Sequence, residues 1–147
     1  MPAKAREHPY AGFNFRVEID GIATASFAEV CGLESETAVI EYRTADSPTN
    51  STIKLPGLTK FSNIVLKRGI TRDTALWQWR KSIVDGTLDR RNGTIVMLDE
   101  THTPVLRWSF RRGWPCKWEG PCLDAGSNEV AIETLEIAHE GLELEVA

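Results

Sequence analysis

Apolar and polar residues alternate cleanly at the start of the chain, with Phe13, Phe15, Val17 and Ile19 separated by Asn14, Arg16 and Glu18. Period two is the pattern of a strand with one buried and one wet face, so a strand is predicted here. Asp20-Gly21 is a tight-turn dipeptide, and Ile22 to Glu29 predicts the return arm of a hairpin that Cys31-Gly32 ends. A third strand is predicted over Glu36 to Arg43, where Ala38, Ile40 and Tyr42 share one face and Val39, Glu41 and Arg43 the other. Thr44 to Lys60, rich in Ser, Thr, Asn, Pro and Gly, reads as one long loop. Loops beyond about twelve to fifteen residues are usually functional or disordered, so this one is either a linker or an arm that orders against a partner.

Ser62 to Arg68 predicts a fourth strand, and the spacing then changes. Leu76, Trp79 and Ile83 recur at helical intervals, which predicts a helix to Asp85 with one apolar stripe and with Arg80 and Lys81 turned outward. Thr71 or Asp73 can cap its start through a side-chain oxygen, and Gly86 suits the left-handed position after its end. Thr94 to Asp99 and Val105 to Arg111 flank a turn at residues 100–104 and predict a second hairpin. Trp114-Pro-Cys-Lys-Trp118 reads as a short irregular strand that its proline confines to an edge or bulge. Asn128 to His139 predicts the last long strand. Its inward phase shifts from Val130 and Ile132 to Leu135 and Ile137, which predicts a bulge near Thr134. Leu142, Leu144 and Val146 predict a final paired segment. Many strands with one helix point to a mainly β fold, a barrel or sandwich with the helix over an opening.

With 147 residues, 41% of them hydrophobic and 26% charged, the chain has the size and composition of one folded domain. A formal charge of −4 disfavours adhesion to phosphate backbones, which requires clustered Lys and Arg. The first ten residues lack the apolar run of a secretory signal, and no run of about eighteen apolar residues marks a membrane-spanning segment. Synthesis in the cytoplasm, with release by other machinery, is the expectation that follows. Three cysteines, Cys31, Cys116 and Cys122, show no CxxC spacing and fit a cytosolic, reduced thiol use; Cys116 and Cys122 are near enough in sequence to pair if oxidised.

Chemistry is sparse. His8, His102 and His139 have no partner at metal-ligand spacing, and no metal or other cofactor is expected. Asp99 with Glu100, and His139 with Glu140, place acid-base groups side by side, but at turns where solvated residues are the ordinary reading. No GxSxG, GxxxxGK[ST] or GxGxxG sequence accompanies them, and an enzyme is not expected. Five tryptophans, three of them at Trp108, Trp114 and Trp118 among Arg107, Arg111 and Arg112, suit core packing first and interface anchors second. Glu129, Glu133, Glu136, Glu140, Glu143 and Glu145 crowd the C-terminal segment as one wet strand face would.

The succession Phe13-Asn-Phe-Arg-Val-Glu-Ile-Asp-Gly21, Glu29-Val-Cys-Gly-Leu-Glu34, Lys54-Leu-Pro-Gly57, Asn63-Ile-Val-Leu-Lys-Arg-Gly69, Trp114-Pro-Cys-Lys-Trp-Glu-Gly-Pro121 and residues 128–142 resembles the tube proteins of contractile phage tails and extracellular contractile injection systems. Each segment alone is weak; their order across nearly the whole chain is specific. The resemblance implies a β-barrel-like tail-tube protomer with a flanking helix, six copies closing into a ring and rings stacking into a hollow tube. It also implies a contractile sheath, a baseplate or spike that initiates the tube, a terminator, and luminal cargo of effector protein, with DNA as the phage alternative. The three cysteines stand where the family pattern suggests other small or polar residues. On this reading residues 1–12 are an arm, and the 44–60 loop clasps the next ring through Asp46, Ser47, Thr49, Asn50, Ser51, Lys54 and Leu55. Glu133 and Glu136 would face the lumen. A non-polymerising binding module is the alternative from outside the class.

Overall fold

The computed structural model describes residues 8–25 and 27–147, the side chains of residues 23–25 excepted. Most of the predicted arm, residues 1–7, lies outside the described residues. The first hairpin forms as predicted: β1 (Phe15–Ile19) pairs antiparallel with β2 (Ile22–Ala25), and Gly21 takes the positive φ of 76° that the turn requires. The predicted return arm is shorter than Ile22 to Glu29, because β3 (Glu29–Cys31) leaves β2 and pairs with β6 (Ile64–Gly69).

The long loop is not a loop throughout. Ser35–Tyr42 forms β4, and Ile53–Phe61, the second half of the predicted loop and one residue beyond it, forms β5 antiparallel to it. Pro56 and Gly57 obscured the strand, since both weaken a ladder. They sit where the register shifts, Thr37 facing Thr59 but Val39 facing Pro56, so that Gly57 and Leu58 together oppose Ala38 in a bulge.

The helix α1 (Ala75–Val84) starts later than predicted. Thr74 at its cap makes no side-chain bond there; Asp73 Oδ1 accepts from the first helical amide, Ala75, at 3.0 Å, whereas Thr71 Oγ1 accepts from Asp73 at 3.2 Å, outside the helix, and does not cap it. At the other end Gly86 has φ 92°, and Thr87 N–H donates to the Ser82 carbonyl and Gly86 N–H to that of Ile83, which closes the last turn. Leu76 and Trp79 are buried. Arg80 does not turn outward: its Nη1 donates to the Pro115 carbonyl at 3.1 Å.

The spine is β8 (Pro104–Glu119). Along one side it pairs with β7 (Arg91–Leu98) and, through β7, with β1. Along the other it pairs first with β10 (Gly141–Val146) and then with β9 (Ile132–Ala138), the register running unbroken from Leu106 opposite Val146 to Pro115 opposite Ile137. The predicted fragment at Trp114–Trp118 is therefore the second half of a long strand. Its proline is on an edge, as predicted: the pairing with β7 stops at Gly113, opposite Arg91, and the register with β9 shifts beside Pro115 at Cys116. α1 covers this edge, and Arg80 supplies a donor to one of its carbonyls.

The bulge predicted near Thr134 is absent, because β9 pairs evenly with β6 from Ile132 opposite Gly69 to Ile137 opposite Ile64. The inward side of β9 is Glu133, Leu135 and Ile137. A slip is needed only if Glu133 must face water, and it does not. The strand also starts at Ile132, not Asn128, leaving Val130 exposed. Val17, Ile19, Ile95 and Phe110 on one side meet Ile64, Leu66, Leu135 and Ile137 on the other, with Leu76 and Trp79 of α1 completing the core.

Candidate assembly surfaces

The β4–β5 hairpin is the structure's most unusual surface. Every residue of β4 is exposed, so neither face of the hairpin rests on the core. Opposed residues of an antiparallel pair share a face, and the register sets Ile40 against Leu55 and Tyr42 against Ile53. The four are 51%, 45%, 53% and 61% exposed, an apolar stripe in open water. Val39 against Pro56 and Glu41 against Lys54 make up the opposite face. Leu58, thrust out by the bulge, is 86% exposed. Covering side chains of this size contributes roughly 1.5 to 3 kcal/mol each, so the stripe strongly favours a partner.

The predicted contact residues divide between two parts of this hairpin. Asp46, Ser47, Thr49, Asn50 and Ser51 lie in its tip, where Arg43 Nε donates to the Thr49 carbonyl at 3.0 Å and Ser47 N–H to that of Thr44 at 3.1 Å. Lys54 and Leu55 lie in β5, on opposite faces of it. Period-two spacing over Ile53, Leu55 and Ile40, Tyr42 was the signal for this stripe, and the Pro-Gly pair hid half of it.

Glu133 and Glu136 also separate. Glu133 is turned into the protomer at 2% exposure, its Oε1 2.5 Å from Arg68 Nε and its Oε2 accepting from Trp118 Nε1 at 3.3 Å. The expected lumen-facing role fails for it, because an ion pair of this kind stands only where its partners do. Arg68 also donates to the Asp73 carbonyl at 3.1 Å and lies over the Phe27 ring, so the buried guanidinium is held on several sides. Glu136 is on the outer face, where Oε2 accepts from Asn63 Nδ2 at 3.0 Å.

Trp118 stacks edge-on with Trp77 at 4.9 Å, and the two line a cleft of 290 Å³ with Ile70, Thr74 and Glu133. All three cysteines are free. Burial pushes the Cys116 thiol above its usual pKa, with the Glu136 carboxylate acting in the same sense; a hydrogen bond to Glu29 does the same for Cys31. Both thiols are thereby held in the less nucleophilic form. His139, half-buried between Phe61 and Phe110, brings Nε2 to 2.9 Å from the Ser62 carbonyl and Nδ1 to 3.1 Å from that of Gly141. It braces the root of the hairpin against the β9–β10 corner. Among the described residues no group of His, Cys, Asp and Glu side chains gathers as a metal site, and no helix is long and apolar enough to cross a membrane.

A mainly β unit with open strand edges and an apolar hairpin standing off its core has the surfaces of a building block. Residues 11–143 match the model of the T4-like virus tail tube protein gp19 family, and the chain belongs to that family. No curated protein matches it by sequence alone. Among solved structures it is similar to a chain of the sheath-tube complex of the PVC extracellular contractile injection system in its extended state, at 25% identity and a TM-score of 0.86, covering 96% of this chain and 94% of that one. A chain of the PVC sheath/tube terminator structure is 26% identical with a TM-score of 0.85, covering 96% and 99%. One from the anti-feeding prophage baseplate has a TM-score of 0.85 at 24% identity, covering 95% and 97%, and shows the shared fold.

Proposed function

We propose that this tail tube protein is the inner-tube subunit of an extracellular contractile injection system. As a single tail-tube domain it closes in sixes into rings, the rings stack into a hollow tube, and a contracting sheath drives that tube through a target envelope with effector protein inside. The observation that carries the reading is the hairpin stripe of Ile40, Tyr42, Ile53 and Leu55, which a solitary chain would leave in water. The match over 96% of the chain to chains from PVC sheath-tube and tube-terminator structures favours an injection system over a phage tail, where DNA would be the cargo. Sheath, baseplate and terminator are the partners in this reading, and catalysis has no part in it. The protein is made and assembled in the cytoplasm and then leaves as part of a released particle. Electron microscopy of concentrated protein, alone and with its baseplate as nucleus, tests it. Annuli and hollow tubes are expected; single chains under both conditions would sink the proposal.

A further inference from the structure

The bend shared by β8 and the β9–β10 corner gathers three guanidinium groups around Glu140, two on its carboxylate and one on its backbone carbonyl. Arg112 Nε pairs with Glu140 Oε2, Arg90 Nη1 stands 3.4 Å from Glu140 Oε1, and Arg111 Nη2 donates to the Glu140 carbonyl at 3.4 Å. Three other arginines have acids of their own: Arg16 has Glu18, Arg91 has Asp89, and Arg68 has both Glu133 and Asp73. At the corner two positive charges are left over, and Glu143, in the neighbouring row of β10, is not within ion-pair distance of any arginine among the described residues.

The backbone is arranged around this cluster. Arg112 holds a positive φ of 54°, a conformation that side-chain-bearing residues rarely adopt, and the Asn92 side chain accepts its amide proton at 2.9 Å. Gly141 leaves room for Arg111, since a Cβ there would come within 2.7 Å of Arg111 Nε. Arg90 Nε is buried without a hydrogen-bond partner, the one such side-chain atom among the described residues. Arg111 and Arg112 are exposed. Planar guanidinium forks bind carboxylates through paired N–H donors, so the exposed Arg111 and Arg112 are equipped to take a further carboxylate.

We propose that this corner is a carboxylate socket between copies of the chain, in which Arg111 and Arg112, with Arg90 behind them, receive an acidic side chain of a neighbouring protomer. The inference rests on the tube reading. Its donor follows from charge: with 21 Asp and Glu against 17 Lys and Arg, a second copy presents the surplus acid that this patch lacks.

Full-length protein with Arg111→Gln, Arg112→Gln and both together tests the socket, read by sedimentation and electron microscopy across a salt series, with glutarate as free competitor. Wild-type association should weaken with salt and with glutarate, and the double variant should need about tenfold or more protein to associate while its melting temperature holds. Arg111→Lys, which keeps charge and loses the fork, should fall between. If the double variant does not fold, Arg111→Gln alone decides, since among the described residues this exposed side chain bonds only to the Glu140 carbonyl. Variants that assemble like wild type would overturn the socket and leave the tube reading standing. Wild type that never assembles would overturn the tube reading first, and this contact with it. Duplex DNA retained by wild type and released by the double variant would show a phosphate site, and that too would overturn the proposal.

Discussion

At the scale of single residues the instructive pair is Arg68 with Glu133. Two charges from strands far apart in the sequence meet in the interior, joined to Trp118 and Asp73. Breaking such a pair costs more than the pair is worth, because the survivor stays buried without its counter-charge. Glu133→Gln should therefore lower stability by about 3 kcal/mol, the low end of the usual range because Asp73 remains near Arg68. Urea unfolding measures this, and replacing both residues together by Met and Leu should restore much of it. An unchanged midpoint for Glu133→Gln would contradict the account. Nothing in the spacing of β9 disclosed the pair. Its alternation was legible, but Val130 and Ile132 set the opposite phase to Leu135 and Ile137, and a glutamate in the inward phase is acceptable only when its partner is known. That partner lies 65 positions away.

Among the elements, the β4–β5 hairpin and the β8 spine show where local pattern suffices and where it does not. β4 was legible from Ala38, Ile40 and Tyr42, and the first hairpin from its Asp-Gly turn. β5 was not, because Pro56-Gly57 breaks the local rule that identifies strands, and only the register with β4 shows these residues to be a bulge. The stripe this creates predicts a separation of stability from assembly. Ile40→Ser with Leu55→Ser should change protomer stability by no more than about 0.5 kcal/mol, since exposed substitutions seldom do more. It should also abolish long tubes in electron micrographs. Tubes of normal length from that variant would assign the stripe no role in assembly. Shortening the tip alone, within residues 46–51, is the milder variant, because it spares every β5 residue.

For the whole molecule, charge and topology set the terms. A net charge of −4 predicts that assembled protein does not retain duplex DNA at physiological salt, which a mobility-shift experiment checks; retention there would contradict the charge argument. The sequence by itself determined the mainly β class, the helix with its buried Leu76 and Trp79 and its Gly86 stop, and the family. Each of these depends on spacing within a few residues or on the order of segments, and both are written along the chain. Tertiary structure alone decided that Glu133 points inward, that Arg80 serves an edge carbonyl of β8, that β9 and β10 run as one register along β8, and that three arginines share one glutamate at the bend. The reason is physical: these depend on the free energy of groups distant in sequence, whose cost or benefit exists only once the sheets bring them together.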